Sequence, residues 1–219
     1  MQPILRIMLT VFAAYLLAPH VAAQETRFGV KAGLAFSRMS FAPGTRLDAP
    51  QDHRVGPDAA VFAVVAVSKR IALQPELRYV EKGFQSRFAG GVGGVEMGYI
   101  EMPLLARITP WLNPASRVRP ILLAGATIAR EVSCTAVGDF PEIEYSTKCS
   151  DIGPPGGRTP SSFEVGAAAG LGLELDAVGG VVLLDVRYTH GLTSAASDLD
   201  EWNRVWSASI GYSIAVTPE

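Results

Sequence analysis

The 219-residue chain predicts an all-β fold, namely an eight-stranded antiparallel β-barrel that crosses a membrane. Three observations predict this fold. Several segments alternate with a period of two between apolar residues and small or charged residues, which is typical of strands with two different faces. No segment after residue 23 contains the roughly 20 apolar residues that a transmembrane helix needs. The predicted connections alternate between long and short, as they do in membrane-spanning barrels with long loops at one end.

The N-terminal segment predicts a secretory signal peptide that comprises residues 1–23. A short, weakly positive start precedes an apolar run over residues 7–18, which is too short to span a bilayer as a helix. The small residues of 21–23 fit the site that a signal peptidase recognises. We therefore expect cleavage after Ala23 and a single barrel domain over residues 24–219, the alternative being an uncleaved N-terminal anchor.

The first mature strand is predicted over residues 27–37, where Phe28 and Leu34 share one face and Lys31 lies on the other. Five later segments repeat this division. In each segment, neighbouring residues point to opposite faces of the strand. The examples, one for each strand with the residue of the apolar face first, are Leu77 and Arg78, Met102 and Glu101, Val165 and Glu164, Val186 and Asp185, and Ile210 and Ser209. Two further segments are apolar on both faces and bring the count to eight, an even number that a closed antiparallel barrel needs. The predicted strands are residues 27–37, 59–68, 73–81, 99–108, 120–130, 162–176, 182–190 and 204–216.

The predicted connections differ in length according to the end of the barrel at which they lie. If the first strand starts on the periplasmic side, the four longer connections all lie outside the cell and the shorter ones face the periplasm. The longer connections are residues 38–58, 82–98, 131–161 and 191–203, and the shorter ones are 69–72, 109–117 and 177–181.

The two cysteines, Cys134 and Cys149, lie in the third long connection and predict one disulfide, because an exported protein meets an oxidising compartment. A metal pair or a catalytic thiol is the alternative. Neither His53 nor His190 stands at ligand spacing from a cysteine, so we expect no metal and no cofactor. The formal net charge of −2 provides no basic excess for nucleic acid.

The face opposite the apolar one is poor in charge and rich in Gly, Ala and Ser, which suits the crowded interior of an eight-stranded barrel. Basic and acidic residues on it are mixed, and buried charges are costly unless they are paired. The alternative is a soluble barrel whose charges are solvated and whose apolar face points inward. We predict an interior charge network that consists of Lys31, Glu76, Arg78, Glu101, Arg107, Glu164, Glu174, Asp185 and Arg187.

Aromatic residues of the apolar face collect near the predicted external ends of the strands, where a membrane-spanning barrel carries rings at the membrane–water boundary. Tyr99 is also near such an end, but strict alternation places it on the polar face. The predicted boundary aromatics are Phe36, Tyr79, Phe163, Tyr188 and Trp206.

Five segments of the chain carry a family resemblance, namely residues 28–36, 73–79 with Lys82 and Gly83, 99–105, 119–125 and 187–192. Through these segments the chain resembles the porin-like outer-membrane β-barrel family that is common in Bacteroidetes. The resemblance implies an eight-stranded barrel without a cofactor and, for most members, without an established activity. The chain ends in Thr217, Pro218 and Glu219, whereas such barrels often end in an aromatic residue.

We interpret the chain as a non-enzymatic protein of the cell outer membrane, with a structural or surface-interaction role through its external loops. The alternatives are a narrow pore for small solutes and a soluble exported barrel that binds a hydrophobic ligand. We expect a monomer that contacts outer-membrane lipid and, outside the cell, an unknown ligand or surface protein, with no nucleic acid. Three weak candidates for chemistry or ion binding are His190 with Ser194, the Gly90–Gly94 segment, and Asp198, Asp200 and Glu201.

Overall fold

The computed structural model describes residues 26–41, 51–88, 90–111, 116–141, 143–151, 163–195 and 201–216. The predicted signal peptide lies outside the described residues, and so do Asp198 and Asp200. In the part of the chain that is described, no helix is long and apolar enough to cross a membrane.

Ten strands are present in the described residues, and eight of them form a closed antiparallel ring. The first strand of the ring pairs with the last, so Ala32 has Ile210 on one side and Ala59 on the other. This arrangement is the predicted one. The strands are β1 (Thr26–Phe41), β2 (Gln51–Asp52), β3 (Arg54–Ala66), β4 (Ile71–Phe88), β5 (Gly91–Ile108), β6 (Val118–Phe140), β7 (Ile143–Lys148), β8 (Glu164–Ala177), β9 (Gly180–Gly191) and β10 (Glu201–Val216). The ring runs β1–β3–β4–β5–β6–β8–β9–β10, while β2 pairs with β4 and β7 pairs with β6.

The alternation of the sequence becomes an inside and an outside of the ring. In β1, Val30 is 60% exposed, whereas Lys31 is 5% exposed. The outward face is therefore apolar, and the inward face combines charged and small residues with buried apolar side chains such as Phe62 and Leu105. A soluble barrel with an apolar cavity requires the opposite arrangement, and the structure contradicts that alternative. Small inward residues also let the backbones approach, since a Cβ on Gly33 would lie 2.0 Å from the carbonyl oxygen of Ala208.

The two ends of the ring differ. At one end, the short-turn end, residues 67–70 join β3 to β4 and residues 178–179 join β8 to β9. At the other, the hairpin end, β4 and β5 continue past the ring until a turn at Gly90, whose φ is +100°. The segment 82–98 is thus a β-hairpin and not the loop that we predicted. The outer part of this hairpin shows no alternation of apolar and polar residues, because glycines take the place of apolar residues. At Gly94 a Cβ would lie 2.5 Å from the carbonyl oxygen of Phe84.

The third long connection also begins as a hairpin, in which β7 returns along the outer part of β6. The predicted disulfide is present just beyond the last pair of this ladder. Cys134 and Cys149 are bonded, with their Cα atoms 5.4 Å apart. A cross-link at this position ties β7 to β6 outside the ring.

Candidate functional site

The interior of the barrel contains all nine residues of the predicted charge network. Each of them is 5% exposed or less. The structure buries three further charged residues, Asp58, Lys82 and Glu201. Asp58 and Lys82 pair with members of the network, and two buried amides, Gln74 and Asn203, also contact it. Each of the six carboxylates Asp58, Glu76, Glu101, Glu164, Glu174 and Asp185 has a basic side chain at 3.4 Å or less.

The group nearest the short-turn end is built around Glu174 on β8. Its Oε1 lies 2.6 Å from Arg27 Nη1 and also contacts Arg107 Nη2, while its Oε2 lies 3.5 Å from Arg119 Nε. Arg119 in turn pairs with Asp176, at 2.5 Å. Around these residues lies a cavity of about 320 Å³. Strands β1, β5, β6 and β8 are therefore joined through their side chains at this end.

The middle group crosses the lumen. Arg187 on β9 donates two hydrogen bonds of 2.9 Å to the carboxylate of Glu76 on β4. These strands are four places apart in the ring of eight and so face each other directly. Lys31 Nζ lies 3.1 Å from Glu76 and 3.2 Å from Asp185. Gln74 donates to Glu76 and connects this group to the short-turn end.

The third group lies nearer the hairpin end. Arg78 holds Asp58 with two hydrogen bonds of 2.8 Å and donates a third, of 2.9 Å, to Glu101. Lys82 Nζ lies 2.6 Å from Glu101 and 3.4 Å from Glu164. Bidentate pairing of this kind fixes an arginine in one orientation.

Tyr99 continues the third group toward the hairpin end. Lys82 Nζ lies 4.3 Å from the centre of the Tyr99 ring, an arrangement that favours a cation. Asn203 donates to Glu164 at 2.7 Å and to the Tyr99 hydroxyl at 3.4 Å. Tyr99 is 2% exposed, so it lies inside the barrel, on the face where strict alternation places it. Alternation places Tyr99 on the face of Glu101, and the ladder to β6 shifts register between Gly98 and Tyr99.

The two residues that the structure adds to the charge network lie just beyond the predicted strand bounds. Asp58 comes one residue before the predicted start at 59, and Lys82 comes one residue after the predicted end at 81. In the structure β3 begins at Arg54 and β4 continues to Phe88. Extending the period of two would have found both, because Asp58 shares a face with Ala60 and Lys82 shares one with Arg78.

The five predicted boundary aromatics all lie on the outward surface. Four of them lie toward the hairpin end of their strands, whereas Tyr79 lies in the middle of β4. Trp206 of β10 stands opposite both Phe36 of β1 and Tyr188 of β9. The ring centres of Trp206 and Tyr188 are 5.0 Å apart. Four of the five are more than a third exposed, namely Phe36, Tyr79, Phe163 and Trp206.

The residues that the sequence offered as weak candidates for chemistry have structural roles in the strands and turns. His190 lies on the outward face of β9, stacked at 6.3 Å on Tyr188. The Ser194 hydroxyl donates to the carbonyl oxygen of Glu201 at 3.3 Å and accepts from its backbone N–H at 3.2 Å. The Gly90–Gly94 segment forms the turn and first residues of a hairpin. Among the described residues, no group of three His, Cys, Asp or Glu side chains is placed to hold a metal ion.

A family model for the outer membrane protein beta-barrel domain matches residues 22–197. The chain belongs to this family. It is an integral protein of the outer membrane, so the short-turn end faces the periplasm and the hairpin end faces outside.

Solved structures of other outer-membrane proteins are similar in fold. OprG from Pseudomonas aeruginosa is 11% identical, with a TM-score of 0.53, and the match covers 89% of this chain and 98% of OprG. Neisserial surface protein A is 13% identical, with a TM-score of 0.47, over 86% of this chain and 97% of its own. A comparison with the curated proteins found no match. At these identities the likeness concerns the fold alone.

Proposed function

We propose that the protein is a closed membrane anchor that presents its external hairpins to a ligand or surface protein outside the cell. The observation that supports this proposal is the pair of hydrogen bonds from Arg187 to Glu76, which joins opposite strands across the lumen. An eight-stranded barrel has an interior just wide enough for side chains to fill. Here that space contains large charged side chains that hold one another in place, together with buried apolar side chains such as Leu105 and Leu183.

Recognition is assigned to the hairpin of β6 and β7. It projects beyond the ring, its strands are cross-linked by the Cys134–Cys149 disulfide, and Ile143 is 64% exposed. The rings of Phe140 and Tyr145 stack at 6.5 Å. Exposed apolar and aromatic side chains outside the lipid are typical of protein-binding surfaces.

The remaining parts of the proposal concern processing and chemistry. Residues 1–23 direct export and are removed, and the outward aromatics lie at the external membrane boundary. The protein acts as a monomer, without a cofactor and without enzymatic activity. A network of paired interior charges needs no second copy of the chain.

Planar-bilayer recording tests whether the barrel is closed. We expect the purified wild-type protein to insert without discrete current steps, because the charged side chains occupy the lumen. Reproducible, ion-selective current steps would instead indicate a pore.

Two variants make a pore distinguishable from membrane damage. Arg187→Ala removes a side chain that crosses the lumen, while Val186→Ala changes the neighbouring residue, which is 50% exposed on the lipid side. Current steps that change in size with Arg187→Ala but not with Val186→Ala would show that the protein is a narrow pore and not a closed anchor.

A further inference from the structure

The outward surface formed by β8, β9, β10 and β1 is almost entirely apolar or aromatic. Apart from Tyr188 and Tyr212, the outward-pointing ionisable residues in the described part of these four adjacent strands are Arg38, His190 and Arg204. Their surroundings are apolar. All three lie at the external ends of their strands. Such a grouping is unexpected on a surface that contacts lipid, where a charged side chain is costly.

The three residues are direct neighbours across the strands. Arg204 stands opposite Arg38 on one side and opposite His190 on the other. Each comes two positions beyond a boundary aromatic, so that Arg38 follows Phe36 along the strand direction toward the outside. Side chains at such paired positions are within reach of one another. They therefore form one basic row, composed of Arg38, Arg204 and His190, just above the aromatic rings.

Among the described residues, the basic row has no carboxylate partner of the kind that each charge of the interior network has. Like charges directly opposite each other destabilise a sheet, yet Arg38 faces Arg204 here. Arg204 Nε and His190 Nδ1 are out of contact with solvent and have no hydrogen-bond partner among the described residues. Outward positions of these four strands, as far as they are described, carry no carboxylate. The row thus offers several donors to an anion that the described residues do not supply.

We propose that the basic row binds the phosphate of a lipid in the outer leaflet of the membrane. Guanidinium groups hold phosphate oxygens with two parallel hydrogen bonds, and imidazole can donate another. The position fits a lipid because the acyl chains of a headgroup at this level would lie along Phe36, Trp206 and the apolar surface below them. This site is distinct from the external hairpins and goes beyond the anchor function.

Native mass spectrometry in detergent tests the site, with diphosphorylated lipid A as the probe and its chemically dephosphorylated form as the comparison. Both probes have the same acyl chains, so a difference in binding reports the phosphates. We expect the wild-type protein to retain the phosphorylated form about tenfold more tightly, as the loss of a charged hydrogen-bonding group predicts.

Arg204→Gln is expected to lower the affinity for phosphorylated lipid A to that for the dephosphorylated form. The matched control is Arg130→Gln, which removes an exposed outward arginine from β6, away from the row, and is expected to bind like the wild type. Arg38→Gln provides the same test if Arg204→Gln fails to fold. Equal retention of both probes by the wild-type protein, or equal losses in Arg204→Gln and Arg130→Gln, would overturn the proposal.

Discussion

Replacing Glu76 by alanine is expected to lower the free energy of unfolding by about 3–5 kcal/mol, since it leaves buried charges without their partner. Arg187 would lose both of its 2.9 Å hydrogen bonds, and Lys31 would keep only Asp185. The measurement is urea unfolding of the refolded barrel in lipid vesicles, followed by tryptophan fluorescence.

Two further variants distinguish the effect of leaving a buried charge without its partner from the effect of removing a carboxylate side chain as such. Glu144→Ala removes an exposed carboxylate on β7 and is expected to change stability by no more than about 0.5 kcal/mol. Glu76→Met combined with Arg187→Met removes both partners and is expected to recover most of the loss, because an apolar pair of similar volume can replace a buried ion pair. A Glu76→Ala variant as stable as Glu144→Ala would mean that the middle group does not hold the barrel together.

Replacing Leu171 by arginine is expected to cost about 2–4 kcal/mol, which is typical of a charge on the lipid face near the bilayer midplane. Leu171 lies in the middle of β8 and is 64% exposed. On a surface in water, an arginine at such an exposed position would have almost no effect. Unfolding in lipid vesicles again provides the measurement.

The control for Leu171→Arg is Ala177→Arg at the periplasmic end of the same strand. Its expected cost is about 0–1 kcal/mol, because the side chain reaches the membrane interface. Equal and small effects of the two substitutions would contradict the assignment of the apolar face to lipid.

The ring of strands and the division into two faces could be predicted from the sequence because both depend on neighbouring residues. Lys31 between Val30 and Ala32 already defines which side of β1 points inward, and closure of the barrel preserves that division in every strand. The positions of the nine charged residues therefore follow from local alternation.

The partners of those charges could not be predicted, because they depend on the register of the whole ring. Arg187 and Glu76 are 111 positions apart, and only the combined stagger of the strands brings them to the same level. The outer hairpins were missed for a different reason. They lie beyond the lipid, where alternation of apolar residues is no longer required, so glycine-rich strands such as Gly91–Gly94 look like loops.

The most direct test of the central claim, that a barrel with a charged interior presents its apolar face to lipid, is gel mobility of the outer-membrane fraction with and without boiling in detergent. A closed membrane barrel resists the detergent until it is heated. We predict that the protein is recovered in this fraction and that its apparent mass shifts on boiling. A protein that is extracted without detergent and migrates identically in both samples would contradict the account.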